Sequence, residues 1–335
     1  MSTPLNMESN MTDVRPFQNR WRAVAVIFVA FGAVLPFLIA DDRFILLLSS
    51  YAVIAAIVAL SLDLLTGNTG LLSFGHAAWY GFGAYVAGLL SKTVTSDIFL
   101  LFLMTAAIAI TLSVLVGAIL VRQIGTTFAI LTLAFSQIVF AVVFVFSDLT
   151  GGEDGLQGIP TPTILGIDIL QPNVWFWILY GSLMVALGLA FHIRRSPLGK
   201  SWLAIRENSE RAAFVGINVS GLRLQAYVAS ATLASTAGLL LVLFNRAASP
   251  DLLHWFESGK IIMYVVLGGM GTLIGPVLGA ITFTFAEHYI SSFTDSWLIY
   301  FGGLFILIII VAPGGIFGGA CKVWDKLVRL FERAK

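Results

Sequence analysis

The chain has 335 residues, 58% of them hydrophobic and 11% charged, with a net charge of +1 and a mean hydropathy of +0.93. A soluble domain carries about 25% charged residues, so this much apolar surface cannot be hidden in one core; the composition implies an all-α polytopic membrane protein, because backbone groups in lipid must be paired within their own segment. The near-zero charge gives no general attraction to nucleic acid, the single Cys321 excludes an internal disulfide, and His76, His192, His254 and His288 are scattered without metal-ligand spacing.

The first twenty residues are polar, and Arg15, Arg20 and Arg22 lead into an apolar run over 23–40. At about eighteen residues this run exceeds the 7–15 of a signal-peptide core, so 21–40 reads as the first span after a cytoplasmic segment, 1–20. Crossing ~30 Å of hydrocarbon takes about twenty helical residues. Runs of that kind follow at 44–65, 71–90, 98–121, 125–147, 173–192 and 222–245, then a longer region at 259–290 and a last run at 297–312. The positive-inside rule then places Asp41, Asp42 and Arg43 outside, Arg122 inside, the acidic loop 148–172 outside and the basic stretch 194–223 inside.

The tail 319–335 carries Lys322, Lys326, Arg329, Arg333 and Lys335 and also belongs in the cytoplasm, yet nine simple crossings would leave it outside. The region 259–290 resolves the parity, because Gly268, Gly269, Met270, Gly271 and Pro276 break it. Two arms of about 13–15 residues cover roughly 20 Å each, which suits a re-entrant hairpin; two compressed crossings satisfy the same count. The expectation is about eight full spans plus this glycine-broken pair, within a membrane domain at 21–318. Trp21, Trp175, Trp177, Trp255 and Trp297 fall near span ends, where interfacial indoles belong.

The loop 193–221 stands out. The stretch 194–223 holds six basic residues (Arg194, Arg195, Lys200, Arg206, Arg211, Arg223) against Glu207 and Glu210. Ser196 and Pro197 offer a cap and a first-turn proline, and Leu198, Trp202 and Ile205 recur at helical spacing. Asn208 and Ser209 offer a second cap for a short helix over 210–215 that Gly216 stops. Two amphipathic helices against the membrane surface are one reading, an ordinary positive loop the other.

Glycines recur every four residues at Gly271, Gly275 and Gly279, and Gly67, Gly70, Gly75, Gly81, Gly83 and Gly88 crowd the third run. Such patterns mean either tight helix packing or broken helices that line a translocation path. Gly199, Lys200 and Ser201 end like a phosphate-binding loop, but the glycine required five positions earlier is Arg194 and no strand precedes it. The chain has no visible means of hydrolysing ATP. Asp63, Glu287 and His288 near run ends, and Gln137 in mid-run, are the polar groups available for ion coupling; snorkelling or interhelical hydrogen bonding is the competing role for each.

Residues 63–85, reading DLLTGNTGLLSFGHAAWYGFGAY, resemble the signature of the membrane permease subunits of branched-chain amino acid ABC importers. Similar to the same family, in the same order, are the loop 151–156, the platform stretches 195–200 and 204–208 with Ala212, Ala213 and Gly216, and the glycine-broken 268–276. The resemblance implies the ABC importer permease fold in a bacterial inner membrane, with both termini cytoplasmic. It further implies a second, related permease subunit, two cytoplasmic ATPase subunits that use the ATP and Mg, and a periplasmic substrate-binding protein, with no cofactor bound by this chain. Arg206, Glu207, Glu210, Arg211, Ala212, Ala213 and Gly216 then form the expected ATPase-coupling surface, with Glu210-Arg211-Ala212-Ala213 where the broader importer pattern has Glu-Ala-Ala. The expected translocation path is lined by Gly67, Gly70, Ser73, His76, Gly81, Gly83, Tyr85, Gly268, Gly269, Gly271, Gly275 and Pro276. The implied solute is a branched-chain or related aliphatic amino acid; urea, short amides and sugars also fit a path without charged residues, and an ion-coupled secondary transporter is the alternative from another class.

Overall fold

A computed structural model describes residues 42–293 apart from 165 and 170, together with 296, 299–300, 302–303, 306, 314–316 and 318. The expected span at 21–40, most of that at 297–312, and the segments 1–20 and 319–335 lie outside the described residues. Among those described, five helices are long and apolar enough to cross a membrane.

Helix α1 (Arg43–Thr69) is the central post. The Asp42 carboxylate caps it by accepting from the amides of Phe44 and Ile45 at 3.1 and 3.3 Å, and Gly70, in the left-handed region at φ 77°, ends it. Nearly every residue from Leu46 to Thr69 is buried, as expected of a helix that is apolar all round and enclosed by others. The expected span at 71–90 is shorter than the apolar run. Residues 70–75 are non-helical, and α2 (His76–Thr93) begins only after them. Two partners replace the helical bonds lost here: the Phe74 amide donates to Thr132 Oγ1 at 3.0 Å, and Thr66 Oγ1 donates to the Leu71 carbonyl at 3.0 Å.

Helices α3 (Ile98–Leu120) and α4 (Gly125–Val145) form the outer layer. On α3 the buried positions Leu101, Thr105, Ala109, Ser113 and Gly117 recur every four residues, a narrow stripe that is small from Thr105 onward, while Leu103, Leu115 and Ile119 stand exposed. That inversion is what lipid permits: apolar side chains face outward and small ones face neighbouring helices.

After a four-residue α5 (Ser147–Thr150), the loop carries a 3-10 turn at Gly152–Asp154 and a two-stranded antiparallel hairpin, β1 (Thr163–Ile164) with β2 (Ile167–Asp168). Leu156 and Ala248 exchange backbone bonds of 2.9 and 3.0 Å, which pins the loop to the connection that follows α9 (Val219–Asn245). Helix α6 (Pro172–Arg195) runs from this loop to the basic platform, so the two lie at opposite ends of the bundle.

The platform is a pair of short helices, α7 (Pro197–Glu207) and α8 (Ser209–Phe214). Ser196 caps the first by accepting from the Gly199 amide at 3.3 Å, and Asn208 caps the second by accepting from the Arg211 amide at 2.8 Å. Trp202 and Ile205 are buried, so α7 is seated on the bundle.

Helices α2 and α9 cross closely. Gly83 lies on the Ser235 backbone and Gly238 on the Tyr80 carbonyl, where any side chain would collide with main chain. Trp79 Nε1 donates to the Tyr227 hydroxyl at 2.9 Å across the same contact. Finally α10 (Trp255–Gly268) and α11 (Ile274–Ser291) pack against each other and against α1 as an antiparallel pair, which fits both the re-entrant reading of 259–290 and the two compressed crossings.

Candidate functional site

The turn of this hairpin, the inner part of α1 and the platform meet at one point. Asp63 is fully buried, and its carboxylate accepts from two amides of the turn, Gly271 on Oδ1 at 2.6 Å and Leu273 on Oδ2 at 3.1 Å. Four residues further along α1, the carbonyl of Gly67 accepts from Nη1 of Arg206 on α7. The fit leaves no slack: a side chain at Gly67 would meet Asp63 Oδ1 at 2.6 Å and the Gly271 Cα at 2.8 Å, and one at Gly271 would meet Arg206 Nη1 at 2.8 Å.

The turn is held in unusual backbone geometry. Gly269 and Gly271 take φ of 109° and 78°, and Leu273, which has a side chain, takes φ 64°, a region costly for a bulky L residue. Asp63 fixes the Leu273 amide. Thr272 closes the turn by donating to the Gly269 carbonyl at 2.7 Å and accepting from the Gly275 amide, in the first turn of α11, at 3.0 Å. The cost of burying the carboxylate is opposed by these two amides and by the positive charges of Arg194 and Arg206. Asp63 thus takes the hydrogen-bonding role that competed with a relay.

The expected coupling residues separate. Glu207, Glu210, Arg211, Ala213 and Gly216 are exposed on the platform, and Arg206 reaches from it into the clamp. Ala212 is buried within the chain and anchors α8 instead of facing outward. Phe214 and Val215, absent from the expected surface, are 90% and 75% exposed. They form an apolar tip on a basic platform, and the two apolar residues just before Gly216 were its visible trace.

The expected path residues fall into two groups. Gly67, Gly70, Gly268, Gly269, Gly271, Gly275 and Pro276 gather at the clamp, where Gly268 abuts the Gly275–Pro276 backbone. Gly81 and Gly83 sit in helix contacts, Ser73 Oγ accepts from the Gly75 amide, and His76 Nε2 lies 2.7 Å from Ser230 Oγ, which donates to the Ser61 carbonyl at 2.5 Å. Tyr85 is buried, and its hydroxyl has no partner among the described residues. These residues are packed here, as the helix-packing reading of the glycines expects.

At the far end of the hairpin the arrangement is opposite. A cavity of about 440 Å³ opens between α1, α2, α9, α10 and α11, and none of the expected path residues lines it. Lys260 on α10 pairs with Glu287 on α11 at 3.0 Å and with Glu257 one turn away at 3.4 Å. Across the cavity the Tyr51 hydroxyl donates to Asn245 Oδ1 at 2.7 Å. Glu287 therefore belongs to an ion-paired group, a role its sequence position alone did not supply. Among the described residues no group of three His, Cys, Asp or Glu side chains is placed to hold a metal.

Residues 44–313 match the family model described as the permease component of the branched-chain amino acid transport system. The chain belongs to that permease family. Among its relatives is the high-affinity branched-chain amino acid transport system permease protein LivM of Salmonella typhimurium, 28% identical over 292 residues that cover 80% of this chain and 69% of LivM. LivH of Escherichia coli is 24% identical over 78% of the chain and 91% of its own length, and BraD of Pseudomonas aeruginosa 26% identical over the same shares. No solved structure matches the permease.

Proposed function

We propose that this permease is one of two related membrane halves of an ATP-driven importer that carries branched-chain or related aliphatic amino acids. A periplasmic binding protein delivers the solute, and two cytoplasmic ATPase subunits that use ATP and Mg²⁺ supply the energy. Both termini are cytoplasmic in this reading. The names of the relatives support the solute class.

The observation that carries the reading is the bond from Arg206 to the Gly67 carbonyl at the Asp63 clamp. A subunit without nucleotide chemistry can use force from outside only through a stiff element joined to its helices. Here the platform exposes Glu210, Arg211, Ala213, Phe214 and Val215 at its tip and is joined by Arg206 to α1 and the hairpin turn. Displacement of α7 pulls on Gly67 and Gly271 together, so the glycine-broken turn at 268–276 is the moving part of the path. Asp63 has both oxygens occupied by amides, which counts against its use as a proton relay in an ion-coupled mechanism.

The test is reconstitution in lipid vesicles with a sister permease, two ATPases and a binding protein. ATP-dependent accumulation of L-leucine inside vesicles, lost when the ATPases are left out, is expected. Accumulation against a gradient by the permease alone would overturn the reading.

A further inference from the structure

The cavity at the far end of the hairpin has two unlike walls. One is charged and polar: Lys260, Glu257 and Glu287, with the Tyr51–Asn245 pair opposite. The other is aliphatic: Leu48, Ala55, Leu241 and Leu252. Its volume, about 440 Å³, lies in the range of small-molecule sites. Ionisable groups within membrane helices are costly and are retained where they pair with one another or meet a solute.

The charges do not balance. Two carboxylates share one ammonium, with His288 also on the lining. The side chains of Lys260, Glu257 and Glu287 are 16%, 25% and 22% exposed, partly desolvated yet reachable from the cavity. The surplus is negative, and it faces a wall suited to a branched hydrocarbon.

We propose that this cavity is a solute subsite of the permease for aliphatic α-amino acids. The ammonium of the solute is held by Glu287 and Glu257, its carboxylate by Lys260 and by the Tyr51 hydroxyl once it turns from Asn245, and its side chain by the leucine wall. The assignment rests on the importer reading above and narrows it, because urea, a sugar or a neutral amide brings no charge to the surplus carboxylate. It also explains why the Lys260–Glu287 pair bridges the two arms of the hairpin. When the turn at the other end is pulled, α10 and α11 shift, the bridge opens, and the solute ammonium replaces Lys260 on Glu287 or leaves it.

The experiment uses the assembled complex without its binding protein, with Thr284→Cys on the cavity wall in a Cys321→Ser background and a small water-soluble thiol reagent. Millimolar L-leucine or isopentylamine, which has the ammonium but no carboxylate, slows labelling at position 284 by at least about threefold. The carboxylate 4-methylpentanoate and urea do not. Adding Glu287→Gln removes the protection by leucine. If the complex with its binding protein takes up leucine on ATP but leucine gives no protection, or position 284 never labels, the subsite is wrong while the importer reading stands. If the complex takes up a neutral solute and no amino acid, both fall.

Discussion

The two ends of the α10–α11 hairpin are built on opposite principles. At the turn, Asp63, Gly67, Gly271 and Arg206 meet with no room for one added carbon, and each polar group named there has a short, specific partner. At the open end, a lysine shared between two carboxylates borders a cavity of about 440 Å³. A joint without slack passes displacement on, because close-packed contacts are bistable instead of compliant. A loose, charged pocket exchanges partners at little cost. In our proposal, one hairpin carries force at one end and meets solute at the other.

The sharpest way to break this contrast is to put bulk into the joint. Gly67→Leu drives a side chain into Asp63 and the Gly271 backbone, and is expected to abolish ATP-driven leucine uptake and lower the melting temperature of the purified complex. A variant that transports normally would show that the joint has slack. Next comes Asp63→Asn, which keeps the shape but turns an amide toward one of the two turn N–H groups. An orphaned buried donor costs about 1–3 kcal/mol, and thermal unfolding of the complex should read a loss of that size. Phe214→Asp at the platform tip leaves the bundle intact, since the ring is 90% exposed; ATPase co-purification is expected to fall by roughly fivefold or more, the scale of an interface anchor worth above 1 kcal/mol. The smallest effect belongs to the lipid face: Ile138→Ala on α4, 62% exposed, should shift stability by about 0.5 kcal/mol or less.

What could be read along the chain is what local chemistry decides. Ser196, Pro197 and Asn208 mark the platform helices because a cap acts on amides within three residues, and apolar runs mark the spans because lipid leaves the backbone no other choice. The break at 70–75 leaves no mark in the sequence, because Leu71, Leu72 and Phe74 are as apolar as a span, and the group that accepts from the freed Phe74 amide, Thr132, sits on another helix. Lys260 and Glu287 meet only because the hairpin folds to a particular depth and rotation, which spacing does not encode. The glycines were ambiguous for a similar reason. Gly83 against Ser235 and Gly67 against Gly271 are the same residue type, and only the neighbour tells a fixed helix crossing from a joint. Ala212 and Phe214 show the limit at finer scale: two residues apart on one short helix, one is turned inward and the other outward.

The most direct test is the number of leucine molecules taken up per ATP hydrolysed by the reconstituted complex carrying Arg206→Gln, with ATPase co-purification checked alongside. Loss of the link between platform and joint predicts that hydrolysis persists while uptake per ATP falls at least about tenfold. An unchanged ratio, with hydrolysis and uptake both intact or both reduced in step, would contradict the claim that this contact transmits the stroke.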